Sequence, residues 1–366
     1  KTGAAQANAG TAQANAPATK GDADADRTTA GHGDGGVEAP TPVASTSATG
    51  VDIPPGEGAA QGGIGTTAQA TNSAITAKTS AATDDGSNAP DPSGIDRRLL
   101  LARGAAIFAG LTAAGITGYG VKTATGAPQL DRVQLPLAKL PRAMDGTRLA
   151  VVSDIHLGPL TGVGHTERIV DLINSVDADI VCVVGDLVDG SVAELGKFAA
   201  PLAGIKSRRG AYFVTGNHEY YSGFQEWVVE VGRLGVRPLR NERLEIDGLD
   251  LAGVNDLGGA DVGDAPDFGR ALGGRDPSRP VVLMAHQPVA AREAAPYGVD
   301  LQISGHTHGG QMAPFNLLVR LQQPVVSGFG KVDGVPVYVT NGAGFWGPPV
   351  RVGAPPQVSV IDLRTP

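Results

Sequence analysis

The chain has 366 residues, with 37 acidic against 29 basic side chains and a net charge of -8, which gives no support for a nucleic-acid-binding surface. Its one cysteine, Cys182, excludes an internal disulfide framework. The length allows two domains, and an opening at Lys1 rather than at a methionine sets the expectation of a longer parent chain.

Residues 1–94 carry ten Asp/Glu against four Lys/Arg and contain no Leu, Phe, Trp, Tyr, Met or Cys. A stretch this poor in apolar side chains cannot offset its own chain entropy, so it is expected to be a disordered low-complexity tail. Residues 95–122 differ sharply. The pair Arg97–Arg98 precedes three leucines and then an uncharged run of 17 residues from Gly104 to Gly120, the lower edge of a bilayer-spanning length. This segment resembles a twin-arginine export signal, although it lies far from the start of the chain; the alternatives are a membrane-anchor helix or the last of several spans in a longer parent. The basic flank would stay cytoplasmic, so the expectation is a protein of the cell membrane, or an exported one, with an extracytoplasmic catalytic domain. The plainer alternative is a buried Ala-rich helix of the folded domain.

From about residue 130 to 366 the pattern is that of an ordered domain. "RLAVVSD" (148–154), "ADIVCVVGD" (178–186), "GAYFVTGNHE" (210–219), "RPVVLMAHQ" (279–287) and "VDLQISGHTH" (299–308) are short continuous apolar runs, as expected of strands buried on both faces. Cys182 falls inside one of them and is expected to pack as a small apolar residue. Helical spacing of apolar residues recurs over 166–176 and 224–234. Alternation of strand and helix argues an α/β fold. The final segments, "VPVYVTNGAG" and "PQVSVIDLR", add strands with no helix between them, which points to mixed sheets, or to a second packed sheet.

The polar residues at the ends of the apolar runs organise the chain. Asp154 and His156 end the first, Asp186 and Asp189 the second, and Asn217, His218 and Glu219 the third; His286 ends the fourth, and His306 and His308 the fifth. Open α/β sheets bind ligands outside the carboxyl ends of their strands. Five of the seven histidines gather there with Asp and Asn; only His32 and His165 lie elsewhere. Imidazole with carboxylate and no thiolate suits Zn, Mn or Fe. The donors are too many for one ion and fit two, with a carboxylate free to bridge them, as in two-metal phosphatases and nucleases where one ion holds an attacking hydroxide. A tight glycine-flanked turn around "GHTHGG" would let His306 and His308 face two neighbouring ions.

The ordered blocks "SDIHLG", "GDLVDG", "GNHEYY", "AHQP" and "SGHTHGG" resemble the calcineurin-like metallophosphoesterase family. The resemblance implies a four-layer α/β/β/α sandwich with two mixed β-sheets. It also implies two divalent metal ions, Mn, Zn or Fe, and a phosphoester hydrolase. By the same resemblance Asp154, His156 and His308 bind the first metal, Asp186 bridges both, and Asn217, His286 and His306 bind the second. His218 would protonate the leaving oxygen, Glu219 would orient it, and Asp189 would hold the loop that carries Asp186. Protein Ser/Thr phosphatases of the superfamily follow the second block with a phosphate-clamping arginine; here Gly190 stands at that place, which disfavours a phosphoprotein substrate.

More finely, the apolar leader, "GHTHGGQ" and "NGAGFWGPPVRVGAPPQVSVIDL" resemble the YkuE/YaeI type of membrane-associated or exported phosphoesterase. Some relatives of that type cleave the pyrophosphate of a UDP-diacylglucosamine lipid precursor. The implied substrate is a phosphodiester or pyrophosphate on a lipid- or envelope-linked molecule, with membrane contact through residues 95–122. Phe315, Leu317, Leu318, Leu321, Phe345 and Trp346 come after the metal-binding blocks. They read as core and loop packing, or as an apolar rim for lipid. The alternative function of another class is a metal-stabilised envelope-binding or scaffolding protein without catalysis.

Overall fold

The computed structural model describes residues 97–366; the expected tail at residues 1–94 lies outside the described residues. Helix α1 (Arg97–Thr125) has no charged side chain between Arg103 and Lys122 and carries apolar residues on all sides. Leu99, Phe108, Leu111 and Tyr119 are exposed, as is every residue from 97 to 119. The helix is long and apolar enough to cross a membrane, and a buried Ala-rich core helix is not what forms. Only its C-terminal end docks. Gly120 and Ala124 are buried, and a Cβ at Gly120 would come within 2.5 Å of Val350 Cγ1, so glycine alone permits that approach. The Arg351 amide donates to the Gly120 carbonyl at 3.0 Å.

Two six-stranded sheets make up the domain. The first contains β1 (Gln129–Pro136), β2 (Arg148–Val152), β3 (Ile180–Val184), β4 (Ala211–Val214), β5 (Arg237–Pro238) and β12 (Gln357–Arg364), in the order β1-β12-β2-β3-β4-β5. The second contains β6 (Glu242–Ile246), β7 (Leu249–Gly253), β8 (Val281–Met284), β9 (Leu301–Ser304), β10 (Gly328–Val332) and β11 (Val335–Val339), in the order β10-β11-β9-β8-β7-β6. Both sheets are mixed. β12 is antiparallel to β2 while β2, β3 and β4 run parallel; β7, β8 and β9 run parallel while β6 is antiparallel to β7.

Three apolar layers explain why the strands are hydrophobic on both faces. Alternate residues of the first sheet, such as Val152, Val183 and Phe213, pack under α2 (Val163–Asn174), α3 (Val192–Ala199) and α5 (Phe224–Arg233) through Ile169, Leu195 and Trp227. The other set, such as Val151, Cys182 and Val184, meets Leu251, Met284 and Ile303 of the second sheet. The outer face of that sheet packs Leu283 and Val337 under α6 (Phe268–Leu272) and α7 (Ala291–Ala294). This is the four-layer α/β/β/α sandwich. Two further short helices, α4 (Asn217–Tyr221) and α8 (Asn316–Val319), stand at one rim. Cys182 lies in the middle layer, where burial pushes its thiol up to about 12, so it is inert packing. The β6–β7 hairpin lies where the sequence reading places no element. Its turn is Asp247–Gly248, both in the left-handed region, the two-residue connection that matches strand twist.

Candidate metal centre

The carboxyl ends of β2, β3, β4, β8 and β9 converge on one rim, and each delivers polar residues in the first few positions after the strand. Several of those positions are backbone outliers. Asp154 (φ 51), His156 (φ 48), Asp186 (φ 51), His306 (φ 70) and His308 (φ 52) all occupy the left-handed region, which costs a non-glycine residue about 1–3 kcal/mol. Neighbouring turns hold them there. The Asp154 amide donates to Gly185 O at 3.0 Å, the His156 amide to Asp186 O at 3.1 Å, and the Gly344 amide to Asp154 O at 2.7 Å. Glycine's part in "SGHTHGG" is close approach: a Cβ at Gly305 would fall on Ser153 Oγ and Asp154 Oδ2.

Two clusters of donors result. In the first, His156 Nε2 and His308 Nε2 face each other at 3.0 Å, and His308 Nε2 lies 3.3 Å from Asp154 Oδ1. Both Asp154 oxygens accept the His306 amide at 3.0 Å. In the second, His286 Nε2 lies 3.0 Å from Asp186 Oδ2, with His306 beside them. Asp186 Oδ2 is also 3.9 Å from His156 Nε2, so this carboxylate stands between the clusters. Asn217, at the start of α4, places Oδ1 3.0 Å from His306 Nδ1.

The donor chemistry fits divalent cations. His286 Nδ1–H donates to the Val184 carbonyl at 2.8 Å, so the neutral ring carries its lone pair on Nε2. That atom is buried, finds no hydrogen-bond donor, and faces a carboxylate oxygen. Two electron-rich atoms this close and out of water require a proton or a metal ion between or beside them. Burial opposes charge on His286, yet the Asp186, Asp154 and Asp256 carboxylates outweigh it and hold the imidazole well above its ordinary value. Burial, and then the neighbouring His286 charge, push His306 down to about 4.

A third group joins the first cluster to an open cavity. Asp189 Oδ1 accepts from His156 Nδ1 at 3.0 Å and from His218 Nδ1 at 2.7 Å. Burial opposes charge on Asp189, but the two histidine bonds hold its carboxyl down to about 2. Burial likewise opposes charge on His218, but the bond to Asp189 and the nearby Asp186 charge keep its imidazole above the ordinary value. Glu219 does something else. Its carboxylate accepts the amides of Asp186 at 3.0 Å, Leu187 at 2.7 Å and Gly216 at 2.5 Å. Burial pushes its carboxyl up to about 8 against the pull of those amides. The expected division of labour is therefore exchanged: Asp189 holds His218, and Glu219 holds the Asp186 loop.

Arg351 is the member that the sequence reading does not single out. It is fully buried and, among the described residues, has no carboxylate hydrogen-bonded to it. It donates to the carbonyls of Gly344 at 2.7 Å, Asn341 at 2.9 Å, Ala354 at 3.1 Å and His308 at 3.2 Å, and to His308 Nδ1 at 2.9 Å. Guanidinium has no acceptor, so Nδ1 of His308 must accept and the neutral ring carries its hydrogen on Nε2. A cation held at Nε2 would have to take the place of that proton. Burial brings Arg351 itself down to about 10. The available signal was an arginine in "PPVRVGAPP", a run with no acidic residue to pair with it.

A cavity of about 620 Å³ opens over the site, lined by His218, His306 and His308 and also by Phe315, Leu318 and Trp346. Of the apolar residues expected at a rim, Phe315, Leu317, Leu318, Leu321 and Trp346 are exposed; Phe345 is buried and belongs to the core. His165 is buried in α2, away from the clusters, and His32 lies outside the described residues.

Known proteins resemble this chain along the same stretch. Residues 147–310 match the family described as calcineurin-like phosphoesterase. A protein of Danio rerio named transmembrane protein with metallophosphoesterase domain is 36% identical over 272 residues, covering 70% of this chain and 62% of that protein. An uncharacterized metallophosphoesterase of Aquifex aeolicus is 33% identical over 243 residues, covering 64% of this chain and 92% of that protein. The uncharacterized metallophosphoesterase YkuE of Bacillus subtilis is 26% identical over 289 residues, covering 74% and 97%. The chain spans 62% of the length of the Danio relative and 59% of its Bos taurus counterpart. With a matching relative spanned almost end to end and the fold and donor set in place, the chain belongs to the calcineurin-like metallophosphoesterase family.

Proposed function

We propose that this protein hydrolyses phosphoesters with two divalent cations (Mn, Zn or Fe). Asp154, His156 and His308 hold one, Asn217, His286 and His306 hold the other, and Asp186 is shared. The observation that carries the reading is the placement of the Asp186 carboxylate between two donor clusters that open, with His218, on a single cavity. When bound, such a pair of cations lowers the pKa of the attacking water and neutralises charge on the phosphoryl oxygens. The protein supplies the rest. Glu219 fixes the loop of Asp186 through three amides. Asp189 accepts a hydrogen bond from His218 Nδ1, which favours the protonated ring and leaves Nε2–H to give a proton to the departing oxygen. Phe315, Leu318 and Trp346 give the cavity an apolar lining beside the donors. A scaffold held together by metal has no use for a proton donor paired with a carboxylate at a cavity wall, so catalysis is the better reading.

The proposed substrate is a phosphodiester or pyrophosphate carried on a lipid- or envelope-linked molecule. Two features support this class: the apolar side chains that line the same cavity as the donors, and the helix α1, which is proposed to anchor the protein in the cell membrane. Arg97, Arg98 and Arg103 flank the N-terminal end of α1, an excess expected on the cytoplasmic side, which puts the catalytic domain outside. The test is hydrolysis of bis-p-nitrophenyl phosphate by chain loaded with Mn or Zn. EDTA should abolish turnover and re-addition of metal should restore it. Asp186→Ala should lower kcat on the order of a thousandfold. Loaded protein that cleaves neither this diester, nor a monoester, nor a nucleotide-diphospho-lipid overturns the proposal.

A further inference from the structure

We propose that the segment 315–321, together with Trp346, is a second membrane-contact surface that lies on the bilayer face where α1 ends. It sets the cavity mouth at the level of the lipid phosphates. This rests on the reading of α1 as a membrane span.

The argument is one of connection. The uncharged exposed part of α1, residues 104–119, is roughly 24 Å long at 1.5 Å per residue, the lower edge of what crosses a hydrocarbon core of about 30 Å, with Arg103 reaching back to the headgroups. The folded domain begins where that length is used up, at Gly120, so whatever is bonded to Gly120 sits at the membrane surface. Arg351 donates to the Gly120 carbonyl at 3.0 Å. One residue on, the Val352 amide donates to Gln311 O at 2.9 Å, and the Val352 carbonyl accepts the Ala313 amide at 3.1 Å. The side chain of Gln311 in turn bonds Trp346 twice, accepting its amide at 2.9 Å and donating to its carbonyl at 2.7 Å. The Phe315 amide donates to Met312 O at 2.7 Å and starts the lip. A short path of hydrogen bonds and adjacent residues thus leads from the end of α1 to Trp346 and to Phe315, the first residue of the lip.

The surface chemistry matches a bilayer with anionic phosphates. Leu317 is 60% exposed, Leu321 82% and Trp346 52%, and large exposed apolar side chains in one patch mark a contact site. Arg320 and Lys331 are exposed beside them and line a neighbouring polar depression with Asn316 and Asn341. Apolar side chains flanked by basic ones are the composition of segments that lie in the headgroup layer, and tryptophan is favoured there. The donor clusters share a cavity with Leu318 and Trp346, so a phosphoester in the same leaflet would reach them without leaving the membrane.

The chain has two tryptophans. Trp227 is fully buried and donates to Gly190 O, which makes Trp346 a reporter. Full-length protein is reconstituted into vesicles of phosphatidylcholine and phosphatidylglycerol, with or without lipid brominated near the headgroup. The difference in emission between this chain and Trp346→Phe isolates the reporter. The expected result is at least twofold quenching by brominated lipid, protection from aqueous iodide, and loss of most of that quenching in Leu317→Glu. Protein that resists alkaline carbonate extraction while iodide, and not brominated lipid, quenches Trp346 overturns the surface and leaves the anchor standing. Protein released by carbonate removes the anchor, and the surface falls with it. Neither outcome touches hydrolysis of a soluble diester, which tests the catalytic reading separately.

Discussion

The two donor clusters share Asp186 and use the same residue types, yet they are backed by opposite kinds of neighbour. Behind His286 is the Val184 carbonyl, which accepts the Nδ1 hydrogen and leaves Nε2 rich in electrons. Behind His308 is the buried guanidinium of Arg351, which donates into Nδ1. Burial, His156 and Arg351 together hold His308 well below its ordinary value. The group behind a ligating imidazole tunes its donor strength. The carboxylate of Asp189 behind His156 offsets part of the loss. The lesson is that the clusters are unequal as donors although their sequence blocks look alike, and the cation beside His308 should be the more weakly held.

The largest expected effect belongs to the side chain that serves neither cluster as a donor. His218→Asn should lower kcat by about 10²- to 10⁴-fold, while elemental analysis still finds two metals per chain. Loss of one metal would instead assign His218 to the first cluster. Next is Arg351→Met. It strands four buried carbonyls and should lower stability by roughly 3–4 kcal/mol in denaturant unfolding. Stepwise Mn titration of the parent should show two unequal binding steps, and the variant should bring them closer; an unchanged gap would break the comparison. The smallest effect is that of His165, a histidine buried as the clusters are but with no carboxylate partner among the described residues. Burial, and then the charges of Arg168 and Arg351, push it down to about 4 from 6.5. Between those values the unfolded chain binds more protons than the folded one, so stability should fall as pH drops from 6.5 toward 4, by about 2–3 kcal/mol. The difference between parent and His165→Leu in urea midpoints across that window measures it. A flat difference would mean that the ring takes up its proton without loss.

Most of the rim was legible because it obeys a local grammar, an apolar strand and then a polar residue, five times over. The Asp186 and His306 turns are read from a few adjacent letters. Arg351 was not legible, because its partners are main-chain carbonyls and a histidine ring 43 residues away, none of which leaves a mark in composition. The exchange between Asp189 and Glu219 was hidden for a related reason. Both carboxylates come after the right strands, and only the folded loops decide which of them meets three amides and which meets two rings. The β6–β7 hairpin was missed because Glu242, Arg243 and Glu245 make its first strand half polar, with no continuous apolar run to read. The exposed state of α1 cannot be told from a buried apolar helix by letters alone; it needs the knowledge that 97–119 stay open to solvent in the fold.

The left-handed backbone at Asp154, His156, Asp186, His306 and His308 has an evolutionary corollary. At each of these turns the residue that relaxes the main chain best is glycine, and glycine is also the residue that deletes the donor. Heat resistance and activity therefore pull these five codons in opposite directions. A laboratory selection for thermostable variants that did not also demand turnover should accumulate glycines at this rim, and the survivors would be sturdy and inert.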